Sequence, residues 1–215
     1  MTSVRMLAAA ITAVVLTSGG TAWAGAPTEQ LRGRIDRVLR VLEDPAFKQN
    51  GRAAERRTAI RTIAHEIFDF RELSQRALAR HWQARTAGER DEFVRLFADL
   101  LERSYIGKIE MFSGGDRIQY TGEMLDGEQV AVVRTRIVTK NGTEIPVDYR
   151  LHHVADRWLV YDVAIEGVSL VANYRAQFNK IIQRSSFQQL MAQLAAKRDE
   201  GQDADGSLTK RASQK

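Results

Sequence analysis

The spacing of hydrophobic residues changes twice along the chain. Up to Met111 they recur every three or four positions, which is the pattern of helices with one buried face. From Arg117 they alternate with polar residues, as in strands that bury one face. The helical spacing returns after Gly167. The pattern therefore predicts helices, then an antiparallel sheet, then a last helix, which is an α+β fold.

Four helices are predicted before the sheet. They span residues 28–42, 52–68, a segment from Leu73 to Trp82, and 87–111. The first is expected to end at Asp44 and Pro45, because the residue before a proline avoids the helical conformation. The fourth is expected to begin with a capping box, since Glu89 follows Thr86 by three residues.

The alternating region predicts four strands. They span residues 117–123, 130–140, 143–153 and 158–165. Asn141 and Gly142 predict a tight hairpin turn between the second and third strands. After the fourth strand, Glu166 and Gly167 form a corner that leads into a helix continuing through Leu194. The expected sheet is a curved four-stranded antiparallel meander with helices packed on it.

The amino terminus has the features of a secretory signal peptide. Arg5 precedes an apolar run at 6–16 that is too short to span a bilayer. Small residues follow and end in Ala22-Trp23-Ala24, which is an A-x-A cleavage pattern. Residues 1–24 are therefore predicted to be removed during export.

Composition narrows the class of protein further. The chain has 215 residues, 44% of them hydrophobic, which suits one domain at 25–196 followed by a polar, disordered tail at 197–215. The absence of cysteine excludes a disulfide-stapled fold and a cysteine-ligated zinc site.

The net charge of the chain is mildly positive, since Lys plus Arg exceeds Asp plus Glu by 32 − 27 = 5. Acidic residues interleave with the arginines at 52–61, which favours a solvated helix face over a nucleic-acid patch. A weak attraction to anionic lipid headgroups stays open.

The residues that could carry chemistry form no recognisable active site or metal site. The four histidines lack metal-ligand spacing: His65, His81, His152 and His153. The last two are adjacent on a predicted strand and point to opposite faces, so they cannot bind one ion together. A catalytic site in a buried interior would draw on Tyr149, Tyr161, Asp162 or His153. No nucleophile elbow, phosphate loop or carboxylate pair is present in the sequence, so we expect a protein that is not an enzyme.

The corner before the last helix resembles a known family. The stretch YDVAIEGVSLVANYRAQF is similar to the signature of the MlaC family, also called toluene-tolerance or ABC-transporter auxiliary proteins. The residues that carry the resemblance are Tyr161, Asp162, Glu166, Gly167, Val168, Ser169 and Phe178. An upstream group also fits, namely Leu78, Ala79, Trp82, Thr86, Phe93, Phe97 and Tyr105. Ala79 departs from the family pattern, in which glycine is common.

The resemblance implies both a fold and a function. The fold would be a cone-shaped α+β roll of the nuclear-transport-factor type with an added helical part. The function would be that of a periplasmic phospholipid-binding shuttle, which carries lipid between outer- and inner-membrane complexes and maintains outer-membrane lipid asymmetry. The implied partners are an inner-membrane ABC transporter with an MCE-type ring protein and an outer-membrane lipoprotein complex. Phospholipid would be the cargo, and no cofactor is expected. Two alternatives stay open: a hopanoid- or sterol-handling protein, and a small-molecule enzyme on the same fold.

Periodicity also predicts which residues line the apolar interior. They are Phe97, Leu101, Tyr105, Ile145, Val147, Tyr149, Leu151, Tyr161, Val163, Val168, Val171, Tyr174 and Phe178. Periodicity alone predicts an ordinary filled core, and the resemblance to the MlaC family is what implies that these residues bind lipid. On that interpretation, an arginine at Val147 or Val168 abolishes lipid occupancy, because it places an unpaired charge in an apolar cavity.

Overall fold

The structure is a computed structural model that describes residues 26–48, 52–112 and 115–198. The predicted signal peptide at 1–24 lies outside these residues, as does the predicted tail beyond 198. Residues 197 and 198 belong to the last helix.

Helices flank the sheet in the chain order that the hydrophobic spacing predicts. They are α1 Ala26–Glu43, α2 Pro45–Lys48, α3 Ala53–Ile67, α4 Phe70–Leu78, α5 Ala87–Glu110, α6 Leu170–Arg184 and α7 at 187–198. The predicted capping box at the start of α5 is confirmed. Thr86 N donates to Glu89 Oε2 at 2.8 Å, and Glu89 N donates to Thr86 Oγ1 at 3.2 Å. Two amides that would otherwise lack partners at the helix end are thereby satisfied.

The last helix is interrupted, whereas the sequence predicted a continuous one. Ser185 leaves the helical conformation with φ −139° and ψ −99°, which ends α6. Ser186 then caps a new helix, since its Oγ accepts from Gln189 N at 3.1 Å. Serine hydroxyls compete with helical hydrogen bonding and favour helix starts, which explains the break.

The sheet has five antiparallel strands in sequential order. They are β1 Arg117–Asp126, β2 Val130–Val138, β3 Glu144–Val154, β4 Arg157–Ile165 and β5 Val168–Ser169. The predicted α+β fold is confirmed. The predicted strand number of four is wrong by one, because Val168 and Ser169 turn back and pair with Ile165 and Ala164. The backbone permits this turn through positive φ values of 50° at Glu166 and 80° at Gly167.

Two apolar clusters form the core. The first, the helical cluster, is built by α4 to α7 and the segment between α4 and α5. Its residues are Leu73, Ala77, Leu78, Trp82, Phe93, Leu96, Phe97, Leu101, Val171, Phe178, Phe187, Leu190 and Leu194. The second, the sheet cluster, joins α1 and α3 to the sheet through Leu31, Ile35, Ile63, Ile67, Ala131, Val133, Val147, Leu151, Trp158, Val160 and Val163. Burying each large side chain contributes roughly 1.5–3 kcal/mol, so both clusters stabilise the fold.

Ala79, which departs from the family pattern, lies at the end of α4. Ala79 follows the helix with φ 47° and ψ −121°. This region of backbone space is open to glycine, whereas the β-carbon of alanine is strained there. The glycine that is common in the family at this position is therefore the residue that the local backbone favours.

Replacing this alanine should stabilise the protein. We expect Ala79→Gly to raise the free energy of unfolding by about 1 kcal/mol, because the strain at the positive φ is removed. The control is Ala176→Gly at an exposed position within α6, which should lower it by about 1 kcal/mol. Urea denaturation measures both. Equal destabilisation by the two changes would contradict the strain at Ala79.

Candidate functional site

One face of the sheet is apolar and covered by helices, and we call it the inner face. Neighbouring strands place Thr135, Val147 and Ile165 in one row across it, and Val133, Tyr149 and Val163 in the next. Its cover comes from α1 and α3, whose buried residues on this face are Leu31, Ile35, Ile63 and Ile67. The inner face and these two helices enclose the sheet cluster.

Tyr149 lies in the middle of the inner face, between Val133 and Val163. Burial raises the pKa of its phenol to about 12, while the residue as a whole is half-buried. An apolar surrounding disfavours the charged phenolate, which accounts for the direction of this change.

The helical cluster is dominated by aromatic rings. Phe97 packs edge-on against Phe178 with 5.1 Å between ring centroids, and against Tyr174 at the same distance. Phe93 stacks on Phe97 at 5.6 Å. Tyr105 and Tyr174 are only partly buried at the margin of this cluster. Burial raises the pKa of the Tyr105 phenol, in keeping with an apolar surrounding.

The two clusters meet at the connection between α3 and α4. Phe68 packs against both of them. The next residue holds this connection to the sheet, since Asp69 N donates to Val160 O at 2.9 Å. The Asp69 carboxylate also lies 3.1 Å from His152 Nε2. The helical cluster therefore continues directly into the sheet cluster at the edge of β4.

The corner with the family signature is held by a buried carboxylate. Asp162 is 3% exposed and receives three hydrogen bonds, from Ser169 Oγ at 2.6 Å, Val171 N at 3.1 Å and Arg150 at 2.9 Å. Ser169 Oγ in turn accepts from Ala172 N at 3.0 Å and caps α6. The Asp and Ser of this signature thus fasten α6 to the sheet.

Eleven of the thirteen residues predicted for the interior lie in the two clusters or at their margins. In the helical cluster these are Phe97, Leu101, Tyr105, Val171, Tyr174 and Phe178. In the sheet cluster they are Ile145, Val147, Tyr149, Leu151 and Val163. The prediction thus described one pocket, whereas the structure distributes its residues over two adjoining clusters.

Two predicted positions are corrected. Val168 is 61% exposed, because it belongs to the short edge strand β5 and its side chain points to solvent. Tyr161 is the extra residue of a β-bulge, since Arg150 pairs with Asp162 and Leu151 with Val160. The bulge turns Tyr161 away from the inner face, and its ring lies 4.0 Å below the Arg76 guanidinium.

Sequence analysis missed several residues of this region. Phe68 was predicted only as the last residue of the second helix, although it joins the clusters. Tyr120 and Thr135 place hydroxyl groups on the inner face, where they pair directly across β1 and β2. The regular alternation of β2 could have identified Thr135, because it shares a face with the buried residues Ala131 and Val133.

The candidate catalytic residues do not come together. Tyr149 lies on the inner face, whereas Tyr161 and Asp162 lie on the other side of the sheet. His153 stacks against Trp158 with 4.9 Å between ring centroids. Among the described residues there is no group of three or more His, Asp or Glu side chains placed to hold a metal ion.

A groove opens between α1 and α3 above the sheet cluster. It has a volume of about 560 Å³ and is lined by Arg37, Arg40, Val41, Asp44, Ala59, Thr62 and Ile63. Ile63 belongs to the sheet cluster, and Val41 packs against it. In the part of the chain that the structure describes, no helix is long and apolar enough to cross a membrane.

The fold and the site define an α+β protein in which a sheet and a helical layer enclose an apolar interior. The MlaC protein family matches residues 32–196, which is 165 of the 215 residues. The chain therefore belongs to the MlaC family.

Two similar proteins are known in more detail. The intermembrane phospholipid transport system binding protein MlaC of Haemophilus influenzae is 21% identical over 142 residues, which cover 64% of this chain and 66% of that protein. The alignment thus spans slightly less than two thirds of that relative. The phospholipid-binding protein of Ralstonia solanacearum, solved in complex with a phospholipid, is 24% identical with a TM-score of 0.71. The match covers 80% of this chain and 96% of that structure, and at this identity it shows a shared fold.

The buried phenol of Tyr149 should make the protein sensitive to alkali. Its pKa is raised to about 12, whereas in the unfolded chain it keeps its ordinary value of about 10. As pH rises, the unfolded chain therefore loses this proton first. The stability that the neutral phenol supplies is complete below about pH 10 and is lost between about pH 10 and 12.

Tyr149→Phe should remove this part of the pH dependence. Between about pH 9 and 11.5 we expect the wild type to lose on the order of 2 kcal/mol more folding free energy than the variant. Urea denaturation at several pH values measures this difference. Parallel pH profiles for the two proteins would show that Tyr149 is not deeply enclosed.

Proposed function

We propose that this protein is a periplasmic phospholipid-binding shuttle that carries lipid between outer- and inner-membrane complexes. Membership of the MlaC family and the names of its two relatives support this function. The observation that carries it in this chain is the apolar inner face of the sheet, which α1 and α3 cover. Apolar side chains between a sheet and helices provide the surroundings that suit acyl chains.

The energetics of release restrict how such a shuttle works. Burying one methylene group contributes about 0.8 kcal/mol, so releasing about thirty of them into water costs on the order of 20 kcal/mol. Free diffusion of the lipid out of the protein is therefore far too slow. Loading and unloading must take place while the protein is docked on a membrane complex, where the tails pass directly into an apolar environment.

The resemblance to the MlaC family indicates partners that would meet this requirement. We propose an inner-membrane ABC transporter with an MCE-type ring protein at one end and an outer-membrane lipoprotein complex at the other. The transporter would supply the energy, so the shuttle itself needs neither a cofactor nor catalytic residues. Export through the signal sequence at 1–24 would place the protein in the periplasm. The result would be maintenance of outer-membrane lipid asymmetry.

Two arginine substitutions test the position of the lipid. Val147 is 5% exposed on the inner face, so Val147→Arg would place an unpaired charge against the acyl chains. We expect this variant to lose most of its co-purifying lipid. Val168→Arg is the matched control, because Val168 is exposed on β5, and this variant should retain its lipid.

Lipid per protein is measured by extraction and mass spectrometry, and circular dichroism checks the fold. If Val147→Arg unfolds, Val163→Phe fills the same space without a charge and should also reduce the lipid content. Full occupancy in a folded Val147→Arg protein would place the lipid elsewhere. Hopanoid in place of phospholipid in the wild-type extract would support the alternative cargo.

A further inference from the structure

The groove between α1 and α3 leads from the protein surface to the sheet cluster. Its volume of about 560 Å³ lies within the range of roughly 300–1,000 Å³ that is usual for ligand sites. Ile63, which is 5% exposed, lines the groove and belongs to the sheet cluster, and Val41 lines it and packs against that cluster. A molecule in the groove can therefore contact the apolar core at one end and remain at the surface with the other.

Three arginines follow one another at a spacing of three along α1, and the fold engages the first two. Arg34 Nη1 donates to the carbonyl oxygen of Trp158 at 2.7 Å. Arg37, which lines the groove, donates to both carboxylate oxygens of Glu66 on α3. These two side chains hold α1 against the sheet and against α3, and their charges are already used within the fold.

Arg40, the third of these arginines, is exposed and lines the groove. Among the residues that the structure describes, it has no carboxylate partner. Asp44 lies four residues further along the same side of the groove, but its Oδ1 accepts from Ala46 N at 2.8 Å at the start of α2. A cation in the last turn of α1 also suits the helix dipole, and that interaction leaves the donors of its guanidinium free. The groove thus has an apolar base and an unpaired cation at its margin.

This combination restricts the chemistry of a ligand. A guanidinium offers a planar set of donors that binds phosphate through two parallel hydrogen bonds. Hydrocarbon is the chemistry that matches Val41 and Ile63, which lie deeper in the same groove. A free phosphate ion would leave these two side chains without a contact. An amphiphile with phosphate at the point where its hydrocarbon begins satisfies both parts, and a diacyl phospholipid is such a molecule.

We propose that the groove between α1 and α3 holds the glycerol phosphate end of the bound lipid, with the Arg40 guanidinium paired with the phosphate. This inference rests on the proposed function and adds the position of the headgroup. The tails then begin beside Val41 and Ile63 and extend toward the inner face. The protein is thereby selective for lipids with a phosphate over diacylglycerol with the same tails. The preference is modest, because water and salt screen an exposed arginine.

The test measures how Arg40 changes the choice between these two lipids. Delipidated mature protein is incubated with phosphatidylglycerol vesicles that contain a small fraction of diacylglycerol with the same tails. The protein is then re-isolated, and the ratio of bound phospholipid to bound diacylglycerol is determined by extraction and mass spectrometry. We expect Arg40→Gln to lower this ratio by about two- to fivefold, which is the effect of one exposed ion pair.

Arg95→Gln provides the matched control. Arg95 is an exposed arginine of α5 that does not line the groove, so this variant makes the same change in net charge and should keep the wild-type ratio. An unchanged ratio in Arg40→Gln would overturn the inference. An equal decrease in both variants would also overturn it, because the general attraction of the protein to anionic vesicles would then set the ratio.

Inorganic phosphate distinguishes a lipid headgroup from a free ion. Added at matched ionic strength, it should leave the wild-type ratio unchanged, since it lacks the tails that hold a lipid in the groove. A decrease to the ratio of Arg40→Gln would assign the arginine to free phosphate and contradict the headgroup position. A wild-type protein that binds neither lipid would instead overturn the proposed function, and this inference with it.

Discussion

The hydrogen bonds of the buried Asp162 carboxylate fix the position of the last helices relative to the sheet. The carboxylate accepts from Ser169 and from the backbone of Val171, so the start of α6 is held against β4. A buried carboxylate is costly unless hydrogen bonds and a cation compensate it, and Arg150 supplies the cation. Because α6 contributes Val171 and Phe178 to the helical cluster, this corner also sets where the helical cluster meets the sheet cluster.

The strand β4 contacts helices on both of its sides, and a bulge makes this possible. Trp158 and Val160 point to the inner face before the bulge, and Val163 points there after it. The extra residue, Tyr161, shifts the alternation, so Asp162 reaches α6 while Val163 still reaches the sheet cluster. Because of this inserted residue, β4 contributes side chains to the sheet cluster and also holds α6 through Asp162.

An apolar interior with few polar groups is consistent with a carrier. A catalytic site needs groups that converge on one reacting atom, whereas here the candidate residues are divided between the two sides of the sheet. A carrier needs space, a lining that matches the interior of a bilayer, and a way to open. Phe68 lies where the two clusters meet and is thus the residue through which a change in one cluster would reach the other.

Much of the fold could be predicted from the sequence, because local rules govern its elements. The change from helical to alternating spacing located the sheet, and Thr86 and Glu89 located the start of α5. The misplaced residues depend on partners that are distant in the chain. Val168 is exposed because it pairs with Ile165 at a sheet edge, and Tyr161 turns outward because β3 has one residue fewer opposite it. Alternation within one strand cannot reveal a bulge, since the register is set by the neighbouring strand.

Native mass spectrometry of the mature protein, purified under gentle conditions, tests the central claim most directly. The account predicts protein that carries bound phospholipid, identified after extraction, and bare protein that becomes loaded again after incubation with liposomes. Protein that is bare on purification and stays bare with liposomes would contradict it, because the apolar interior would then be a filled core without room for a lipid.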